Sequence, residues 1–331
     1  MKNPYIIAEI NTSHFGSLDV AKEMIQIAKT SGADCVKFQS WSETSLYSQT
    51  FYNENPIAKR FINKFSLSKD ELKELSLYCE SLKIDFASTP YSNDEVDFLI
   101  DKCNVPFIKV ASMDINNFPL LEHIATRDKK VVLSTGMSEI NEITAAVELL
   151  SLNGAKEIAI LHCNSLYPTN YNEVNLNNLI TLSKLFPQHI IGFSDHTIGI
   201  EVSSAAVALG AKVIEKHFTL DSSKIGMDNQ MATEPEDFKK MVLSCKNVYE
   251  SLGSFERIVN DKELDQRLKM RRSIVAKVKI KKGETLTINH LTAKRPGTGI
   301  QLSELGNILG KTVNVDIEED CLIYPSNING Q

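Results

Sequence analysis

The chain has 331 residues, of which 42% are hydrophobic and 24% are charged, and its formal net charge at pH 7 is -6. This composition is typical of a soluble globular protein that has enough apolar residues for a sizeable core and more than one domain. The acidic balance argues against nucleic acid and anionic membrane as partners, and the absence of any run of 18 apolar residues argues against a transmembrane helix.

Eight short apolar runs recur over the first two thirds of the chain, and helix-spaced apolar residues fill most of the intervals. The runs are Tyr5–Ile10, Ala33–Gln39, Asp85–Pro90, Phe107–Ser112, Lys130–Thr135, Glu157–Cys163, Ile190–His196 and Ala211–Phe218. Eight strands that alternate with helices over roughly 250 residues predict an α/β fold of the TIM (β/α)8 barrel type. A doubly wound sheet shares this alternation, but Glu9-Ile10-Asn11-Thr12 lacks the glycines of a phosphate-binding turn.

The connections and the C-terminal part suggest the domain organisation. The stretch 40–66 is predicted to be a long loop on the catalytic face, with a lid or interface role. The barrel domain is predicted to span residues 1–253, and the charged segment 254–272 is predicted to be a linker or a solvated helix. Residues 273–331 alternate short apolar segments with turns, which indicates a small, mostly β domain.

The cysteines and the N-terminal residues suggest the compartment. Six cysteines stand at positions 35, 79, 103, 163, 245 and 321, without the close pairs of zinc ribbons or disulfide frameworks. Reduced and mostly buried thiols are therefore expected. The first residues lead directly into the apolar Tyr5–Ala8 without a signal-type region. Both observations predict a cytoplasmic protein.

Polar side chains stand at the predicted carboxyl ends of all eight strands, where TIM barrels carry their catalytic groups. They include Glu9, Lys37, Gln39, Thr89, Lys109, Ser112, Ser134, His162, Asn164, Asp195, His196, Glu215 and His217. Lys37 and Lys109, with the neighbouring hydroxyls, suit the phosphate and carboxylate groups of a small anion. The alternative for either lysine is an ion pair with Glu9 or Glu215.

His196 and His217 end adjacent predicted strands, close enough to bind one divalent metal ion. Two imidazoles leave coordination positions for water or substrate, which is typical of a catalytic site. The acids Asp195, Glu215 and Asp228 are candidates for orienting the imidazoles. An equally weighted alternative is that one of the two histidines is an ordinary, hydrogen-bonded barrel residue.

These segments, in order, resemble the sialic acid synthase family. The barrel motifs are Ile7-Ala8-Glu9-Ile10, His14-Phe15-Gly16, Val36-Lys37-Phe38-Gln39, Ser134-Thr135-Gly136-Met137, His162-Cys163, Tyr167-Pro168, Gly192-Phe193-Ser194-Asp195-His196-Thr197 and Ile214-Glu215-Lys216-His217-Phe218. Lys294 to Ile300 and Ile308 to Lys311 resemble its antifreeze-like (SAF) domain. The resemblance covers nearly the whole chain.

The resemblance implies a TIM barrel with an appended SAF domain, working as a domain-swapped homodimer. It implies condensation of phosphoenolpyruvate with the aldehyde of an N-acetylated aminosugar, aided by a divalent metal, most often Mn²⁺, with Mg²⁺ or Co²⁺ as alternatives. His196 and His217 match the metal ligands, and Glu9 matches the acid that handles protons or water. The phosphoenolpyruvate cradle is matched by Lys37, Gln39, Thr89, Lys109, Ser112 and Ser134, and the sugar side by Asp114, Tyr167, Asp228 and Arg295, the last supplied by the partner subunit.

Several positions depart from the family pattern. Asn164, a candidate substrate-binding residue, stands one place before the usual asparagine, which is Ser165 here, and Asp114 replaces a frequent glutamate. After Asp228, where many sialic and legionaminic acid synthases have a run similar to His-Lys-Ala-Ser, the chain reads Asn229-Gln230-Met231-Ala232. These differences leave two acceptors open, N-acetylmannosamine and a 2,4-diacetamido-trideoxy hexose of the legionaminic type.

Two other functions remain as alternatives. A metal-dependent aldolase that uses pyruvate would need no phosphate cradle and would release no phosphate. An ice- or carbohydrate-binding protein would use the C-terminal domain, but Thr285, Thr287, Thr292, Thr298 and Thr312 lack the regular spacing of an ice-binding face.

Overall fold

The computed structural model describes residues 4–330, so Met1 to Asn3 and Gln331 lie outside the description that follows. The chain divides into two compact units between Gly253 and Ser254. The first contains eight parallel strands that alternate with helices, and the second contains a small antiparallel sheet. The division lies where the sequence analysis places the end of the barrel domain.

The eight parallel strands confirm the predicted barrel of the TIM type. They are β1 (Tyr5–Glu9), β2 (Cys35–Gln39), β3 (Asp85–Thr89), β4 (Phe107–Val110), β5 (Lys130–Ser134), β6 (Ile158–Cys163), β7 (Ile190–Asp195) and β8 (Val213–His217). Hydrogen bonds join them in the order β3-β2-β1-β8-β7-β6-β5-β4. Strands β3 and β4, at the two ends of this order, also lie beside each other, so the strands surround a common interior.

Most strands are one or two residues shorter than predicted. Strand β3 ends at Thr89 because the next residue, Pro90, has no N–H to donate to the neighbouring strand. Strand β4 ends at Val110, before a 3-10 turn over Ser112–Asp114. The predicted runs follow apolar and β-branched residues, and such residues extend a little beyond several of the strands at one end or both.

Helices follow the strands and cover the outside of the barrel. They are α1 (Leu18–Thr30), α2 (Glu43–Leu46), α3 (Gln49–Glu54), α4 (Pro56–Phe65), α5 (Lys69–Leu82), α6 (Asn93–Asp101), α7 (Phe118–Ala125), α8 (Ile140–Leu152), α9 (Asn178–Leu185), α10 (Glu201–Ala208) and α11 (Pro235–Leu252). Serine side chains accept an N–H from the first turn of α1, α3 and α5, at Ser17, Ser48 and Ser68.

The stretch 40–66 is not the irregular loop that the sequence predicts, because it contains the three short helices α2, α3 and α4. Helix α4 begins with Pro56 at a position where proline is favoured, and it buries Ile62 and Phe65. A helix of this length shows too few apolar repeats to be distinguished from a loop by periodicity alone.

Alternation along the strands explains why polar groups converge at one end of the barrel. The inward side chains near the amino ends are apolar and form one cluster, with Tyr5, Ile7, Cys35, Ala87, Phe107, Val132, Ala159, Leu161 and Val213. Outward residues such as Ile6, Ala8 and Val36 pack in a second cluster that includes the helices. The next inward residue after Ile7 on β1 is Glu9, and the next after Val213 on β8 is Glu215. The inward side chains therefore change from apolar to charged towards the carboxyl ends of these strands.

The second unit contains α12 (Asp261–Met270), β9 (Ser273–Ala276), β10 (Leu291–Lys294) and α13 (Leu305–Ile308), with β9 and β10 paired antiparallel. Its core consists of Ile274, Ala276, Ile280, Leu286, Leu291, Ile300, Ile308, Val313, Ile317, Ile323 and Ile328. Helix α12 occupies part of the predicted linker 254–272 and is exposed along its length. Its last turn accepts the Gly297 N–H at the Leu268 carbonyl, 2.8 Å away.

Two further expectations concern membranes and thiols. Over residues 4–330, no helix is both long enough and apolar enough to cross a bilayer. All six cysteines are free thiols, five of them buried and Cys321 exposed.

The connection after β1 makes the fold sensitive to acid. His14 is buried, and its Nδ1 accepts the Gly16 N–H at 3.0 Å, so burial lowers the pKa of the imidazole from 6.5 to about 4. Between pH 6.5 and pH 4, His14 is protonated in the unfolded chain but not in the folded chain. The contribution of His14 to the free energy of unfolding is therefore fully present above pH 6.5 and is lost as the pH falls towards 4.

We expect His14→Asn, which retains an acceptor for Gly16, to reduce this acid sensitivity. The loss of unfolding free energy between pH 7.5 and pH 5 should be about 2 kcal/mol smaller in the variant than in the wild type. Urea unfolding at the two pH values measures it. An equal loss in both proteins would show that His14 is not the group responsible.

Candidate active site

A cavity of about 300 Å³ opens at the carboxyl ends of the barrel strands. Most of the predicted site residues line it, namely Glu9, Lys37, Gln39, Thr89, Lys109, Ser112, Ser134, Tyr167, His196, His217 and Asp228. Loop side chains that the sequence analysis did not single out add an apolar rim, formed by Trp41, Leu46, Tyr47, Tyr91, Met113, Met137 and Met227. The cavity therefore has a charged floor and a largely apolar entrance.

The floor of the cavity is a buried array of two lysines and two carboxylates. Lys37 pairs closely with Glu9, and its Nζ lies 3.7 Å from Glu215. Lys109 Nζ also lies 3.7 Å from Glu215 and donates to Ser134 Oγ at 2.7 Å. All four side chains are at most 6% exposed, so each charge depends on its neighbours instead of on water.

The two carboxylates respond to this array in opposite directions. Burial raises the pKa of Glu9 to about 7, although attraction by Lys37 opposes the change. Burial would also raise the pKa of Glu215, but Lys109 and Lys37 outweigh it and lower that pKa to about 2. Glu9 is therefore the carboxylate of the two that holds a proton more readily.

Hydroxyl groups surround the two lysines. Lys37 donates to Thr89 Oγ1 at 3.2 Å, and Ser112 Oγ accepts the Gly136 N–H at 2.9 Å. Gly136 has no space for a side chain, because a Cβ there would lie 2.2 Å from Ser165 Oγ. The hydroxyls of Thr89 and Ser134 lie beside the two lysines, which is an arrangement that suits anionic oxygens.

His196 and His217 face each other across the ends of β7 and β8, with ring centroids 5.3 Å apart. The ring of Tyr167 packs on His196 at 4.3 Å. Burial and the charge of His196 hold the pKa of His217 well below its ordinary value. Burial also opposes protonation of His196, but Cys163 and the Asn164 carbonyl raise its pKa overall. Of the two imidazoles, His217 is therefore the one that resists protonation more strongly.

The donor set fits a catalytic divalent ion. His196 Nδ1 lies 2.6 Å from the Asn164 carbonyl oxygen, so it carries a hydrogen and leaves Nε2 as the lone-pair nitrogen. Among residues 4–330, no group of three or more His, Cys, Asp or Glu side chains is arranged to hold a metal. The two imidazoles would therefore supply the protein ligands, and water or substrate oxygens would fill the remaining positions.

The predicted sugar-side residues lie in different surroundings. Asp228 accepts a short hydrogen bond from the Asn11 amide and lines the cavity beside Met227. Burial raises the pKa of the Asp228 carboxyl. Asp114 is half-buried at the end of a 3-10 turn and accepts from Asn117 at 3.0 Å, without lining the cavity.

Two predicted substrate residues are placed differently from the rest. The Asn164 side chain turns away from the cavity and donates to the Glu173 carbonyl at 3.0 Å, whereas Ser165 lines the cavity in its place. Asn164 contributes its own carbonyl, which accepts from His196. Arg295 is exposed in the second unit, directly after β10, and its role at the site remains a prediction.

Glu215 has more contacts on the cavity floor than the sequence analysis assigned to it. It was considered as a group that orients histidines and as an alternative ion-pair partner of either lysine, whereas in the structure it contacts both lysines and accepts from Ser194 Oγ at 2.9 Å. A signal was present in the sequence, because Glu215 and His217 are two residues apart on one strand and therefore share the inward face.

Comparisons with known proteins identify the family of the chain. A model of the NeuB family matches residues 24–257, and a model of the SAF domain matches residues 271–329. The chain is 39% identical over 336 residues to the N,N'-diacetyllegionaminic acid synthase of Campylobacter jejuni, covering 98% of this chain and 99% of that protein. It is 38% identical over 334 residues to the N-acetylneuraminate-9-phosphate synthase of Homo sapiens, covering 96% and 91%.

A solved structure shows the same similarity. The N-acetylneuraminic acid synthetase of Leptospira borgpetersenii matches with a TM-score of 0.74 and 32% identity, over 80% of this chain and 90% of that one. The resemblance predicted from the motifs is confirmed, and the chain belongs to the NeuB family with a SAF domain at its C-terminal end.

Proposed function

We propose that this protein condenses phosphoenolpyruvate with the open-chain aldehyde of an N-acetylated aminosugar and water. The products are a nine-carbon, sialic-acid-like sugar acid and inorganic phosphate. The observation that carries the proposal is the convergence of two buried lysines and two imidazoles on one cavity. The relatives support it, since they include synthases of N,N'-diacetyllegionaminic acid and N-acetylneuraminate 9-phosphate.

Phosphoenolpyruvate would lie on the charged floor. Lys37 and Lys109 would pair with its carboxylate and phosphate, and Gln39, Thr89, Ser112 and Ser134 would donate to the same oxygens. The lysines would exchange their contacts with Glu9 and Glu215 for contacts with the substrate. Fixed in this way, the enol carbon meets the acceptor without the entropic cost of a bimolecular encounter.

The aldehyde would lie beside His196 and His217, which would hold a divalent ion, Mn²⁺ in the first instance, with Mg²⁺ or Co²⁺ as alternatives. Such an ion supplies Lewis-acid polarisation of a carbonyl group when it is bound. Tyr167, packed on His196, and Asp228 would position the sugar, and the apolar rim would contact its acetamido methyl group.

The bond changes balance with Glu9 and the departing phosphate as proton carriers. The C2–C3 π bond of phosphoenolpyruvate opens as C3 forms a bond to the aldehyde carbon, and the aldehyde oxygen gains a proton from the Glu9 carboxyl. Water then adds to the electron-poor C2 and loses a proton to Glu9, whose carboxyl lies on the floor beside Lys37. The bond from C2 to the bridging oxygen breaks, phosphate leaves with that oxygen and takes up the proton of the new C2 hydroxyl, and C2 becomes a ketone.

A phosphate-release assay with a panel of aminosugars tests the proposal. N-acetylmannosamine and 2,4-diacetamido-trideoxy hexoses are the acceptors to compare, with the corresponding sugar alcohols as controls that lack an aldehyde. We expect release only with phosphoenolpyruvate and an aldehyde together. Condensation with pyruvate and no phosphate release would favour the aldolase alternative, and carbohydrate binding without turnover would favour a binding protein.

We further propose a homodimer in which Arg295 of one subunit completes the site of the other. Arg295 is exposed on the second unit, and a guanidinium offers planar hydrogen bonding to acetamido or hydroxyl oxygens.

The free thiols support a cytoplasmic location, where they stay reduced.

Complementation distinguishes a shared site from a self-contained one. Arg295→Ala and His217→Ala subunits should each be inactive alone, and mixed dimers should regain activity, since one of their two barrels receives both groups. The amount of activity recovered after mixing and reassembly is the measurement. If Arg295 acts on its own barrel, mixing restores nothing.

A further inference from the structure

A buried polar network lies behind the two imidazoles, on the outward faces of the same strand ends. Asp195, the last residue of β7, and Lys216 of β8 form an ion pair at 3.0 Å, and both are at most 1% exposed. They are register partners in the β7–β8 ladder. Because side chains alternate along a strand, this pair points away from the cavity that His217 enters.

The network fixes the backbone on both sides of His196. Asp195 Oδ1 accepts the Thr197 N–H at 2.9 Å and the Thr197 hydroxyl at 2.7 Å, which folds the chain tightly around the residue between them. Lys216 Nζ donates to the Thr197 carbonyl at 2.6 Å. The His196 carbonyl itself accepts the Thr169 N–H at 2.9 Å.

A helix completes the network. Ser203, in α10, donates to Asp195 Oδ2 at 2.6 Å and is fully buried. Each Asp195 oxygen therefore has at least two donors, which is the condition under which a buried charge is tolerated. A buried ion pair is weak evidence for stability, and in some proteins its effect is to fix one geometry.

We propose that Asp195 and Lys216, with Thr197 and Ser203, are positioning residues that set the separation of the two imidazoles. They act through the backbone: Asp195 and Thr197 define where His196 stands, and Lys216 ties that turn to the strand that carries His217. The inference rests on the proposed metal-dependent function, because the separation of the imidazoles matters only if both bind one ion. A disturbed separation should weaken metal binding before it weakens the fold.

Two substitutions at Thr197 separate positioning from packing. Thr197→Val keeps the branched shape and removes the hydroxyl donor to Asp195, whereas Thr197→Ser keeps the donor and removes the methyl group. On helix α10, Ser203→Ala removes a donor to Asp195. Its matched control is Ser204→Ala, since Ser204 donates to Ser244 at 2.8 Å and not to Asp195.

Binding of Mn²⁺ alone, followed by the electron paramagnetic resonance signal of the free ion, is the readout, with thermal unfolding of each variant beside it. We expect Thr197→Val and Ser203→Ala to raise the Kd for Mn²⁺ about tenfold, as losses of groups that orient ligands do. Thr197→Ser and Ser204→Ala should bind as the wild type does.

Each other outcome overturns a defined part of this account. Wild-type Mn²⁺ affinity in both Thr197→Val and Ser203→Ala, with binding lost in His217→Ala, would leave the metal site intact and refute the positioning role. Equal weakening in Thr197→Val and Thr197→Ser, in step with their thermal stability, would show a packing effect and also refute it. Absence of Mn²⁺ binding in the wild type would refute the metal site and this inference together.

Discussion

Replacing His217 with alanine should reduce turnover about a thousandfold and abolish binding of the divalent ion while leaving the barrel folded. The imidazole is buried, faces His196 with centroids 5.3 Å apart, and has its pKa held well below its ordinary value, so it presents a neutral ligand nitrogen. Without the metal ion, the transition state would lose several kcal/mol of Lewis-acid stabilisation, which corresponds to a rate decrease of about a thousandfold. Initial rates after chelation and graded re-addition of Mn²⁺ measure the effect.

A second buried barrel histidine provides the control. His162 lies in β6, does not line the active-site cavity, and its Nε2 lies 2.7 Å from the Val174 carbonyl. His162→Gln can retain a donor to that carbonyl, and it should keep Mn²⁺-dependent turnover close to the wild-type value. If His217→Ala retained near wild-type turnover at limiting Mn²⁺, the assignment of His217 as a metal ligand would be wrong.

Removal of either floor lysine should raise the Michaelis constant for phosphoenolpyruvate and leave that for the sugar nearly unchanged. Lys109 is buried and lies among Glu215, Ser134 and the Val110 carbonyl, so its ammonium points into the cavity at a fixed position. A charge-assisted contact of this kind contributes about 1.5–3 kcal/mol, which corresponds to roughly a tenfold to a hundredfold change. Steady-state kinetics of Lys37→Met and Lys109→Met, with each substrate varied in turn, provide the test.

Lys130→Met is the matched control for the lysines. Lys130 is the first residue of β5, whereas Ser134, at the other end of the same strand, lines the cavity. Lys130 pairs with Glu157 at 2.9 Å, so the substitution removes a strand lysine that lies away from the cavity. This variant should show wild-type constants for both substrates. An increase confined to the Michaelis constant for the sugar in the Lys37 and Lys109 variants would contradict the proposed phosphoenolpyruvate cradle.

The sequence was sufficient for the barrel and for most of the cavity floor, because both depend on the period of two along a strand. Glu9, Lys37 and Lys109 are inward residues at predicted strand ends, and the ends of parallel strands meet at one side of a barrel. The ion pairs of these lysines with Glu9 and Glu215, which the sequence offered as an alternative, are present in the structure and compatible with an anion site.

Features that depend on loop conformation were beyond prediction. Helices α2 to α4 are too short for their periodicity to be recognised, so the apolar rim that includes Trp41 and Tyr47 was missed. The exchange of Asn164 for Ser165 at the cavity depends on a hydrogen bond to Glu173, 9 residues away, which nothing in the local sequence specifies. Placement in such cases is decided by tertiary contacts.

The fate of the bridging oxygen of phosphoenolpyruvate tests the central claim most directly. Phosphoenolpyruvate labelled with ¹⁸O at the C2–O–P position, incubated with the enzyme, Mn²⁺ and an accepted aminosugar, should yield phosphate that contains the label. The nine-carbon acid should take its new oxygen from water, as mass spectrometry of both products would show. Label retained in the sugar acid, or a sugar acid formed without phosphate, would contradict the proposed condensation.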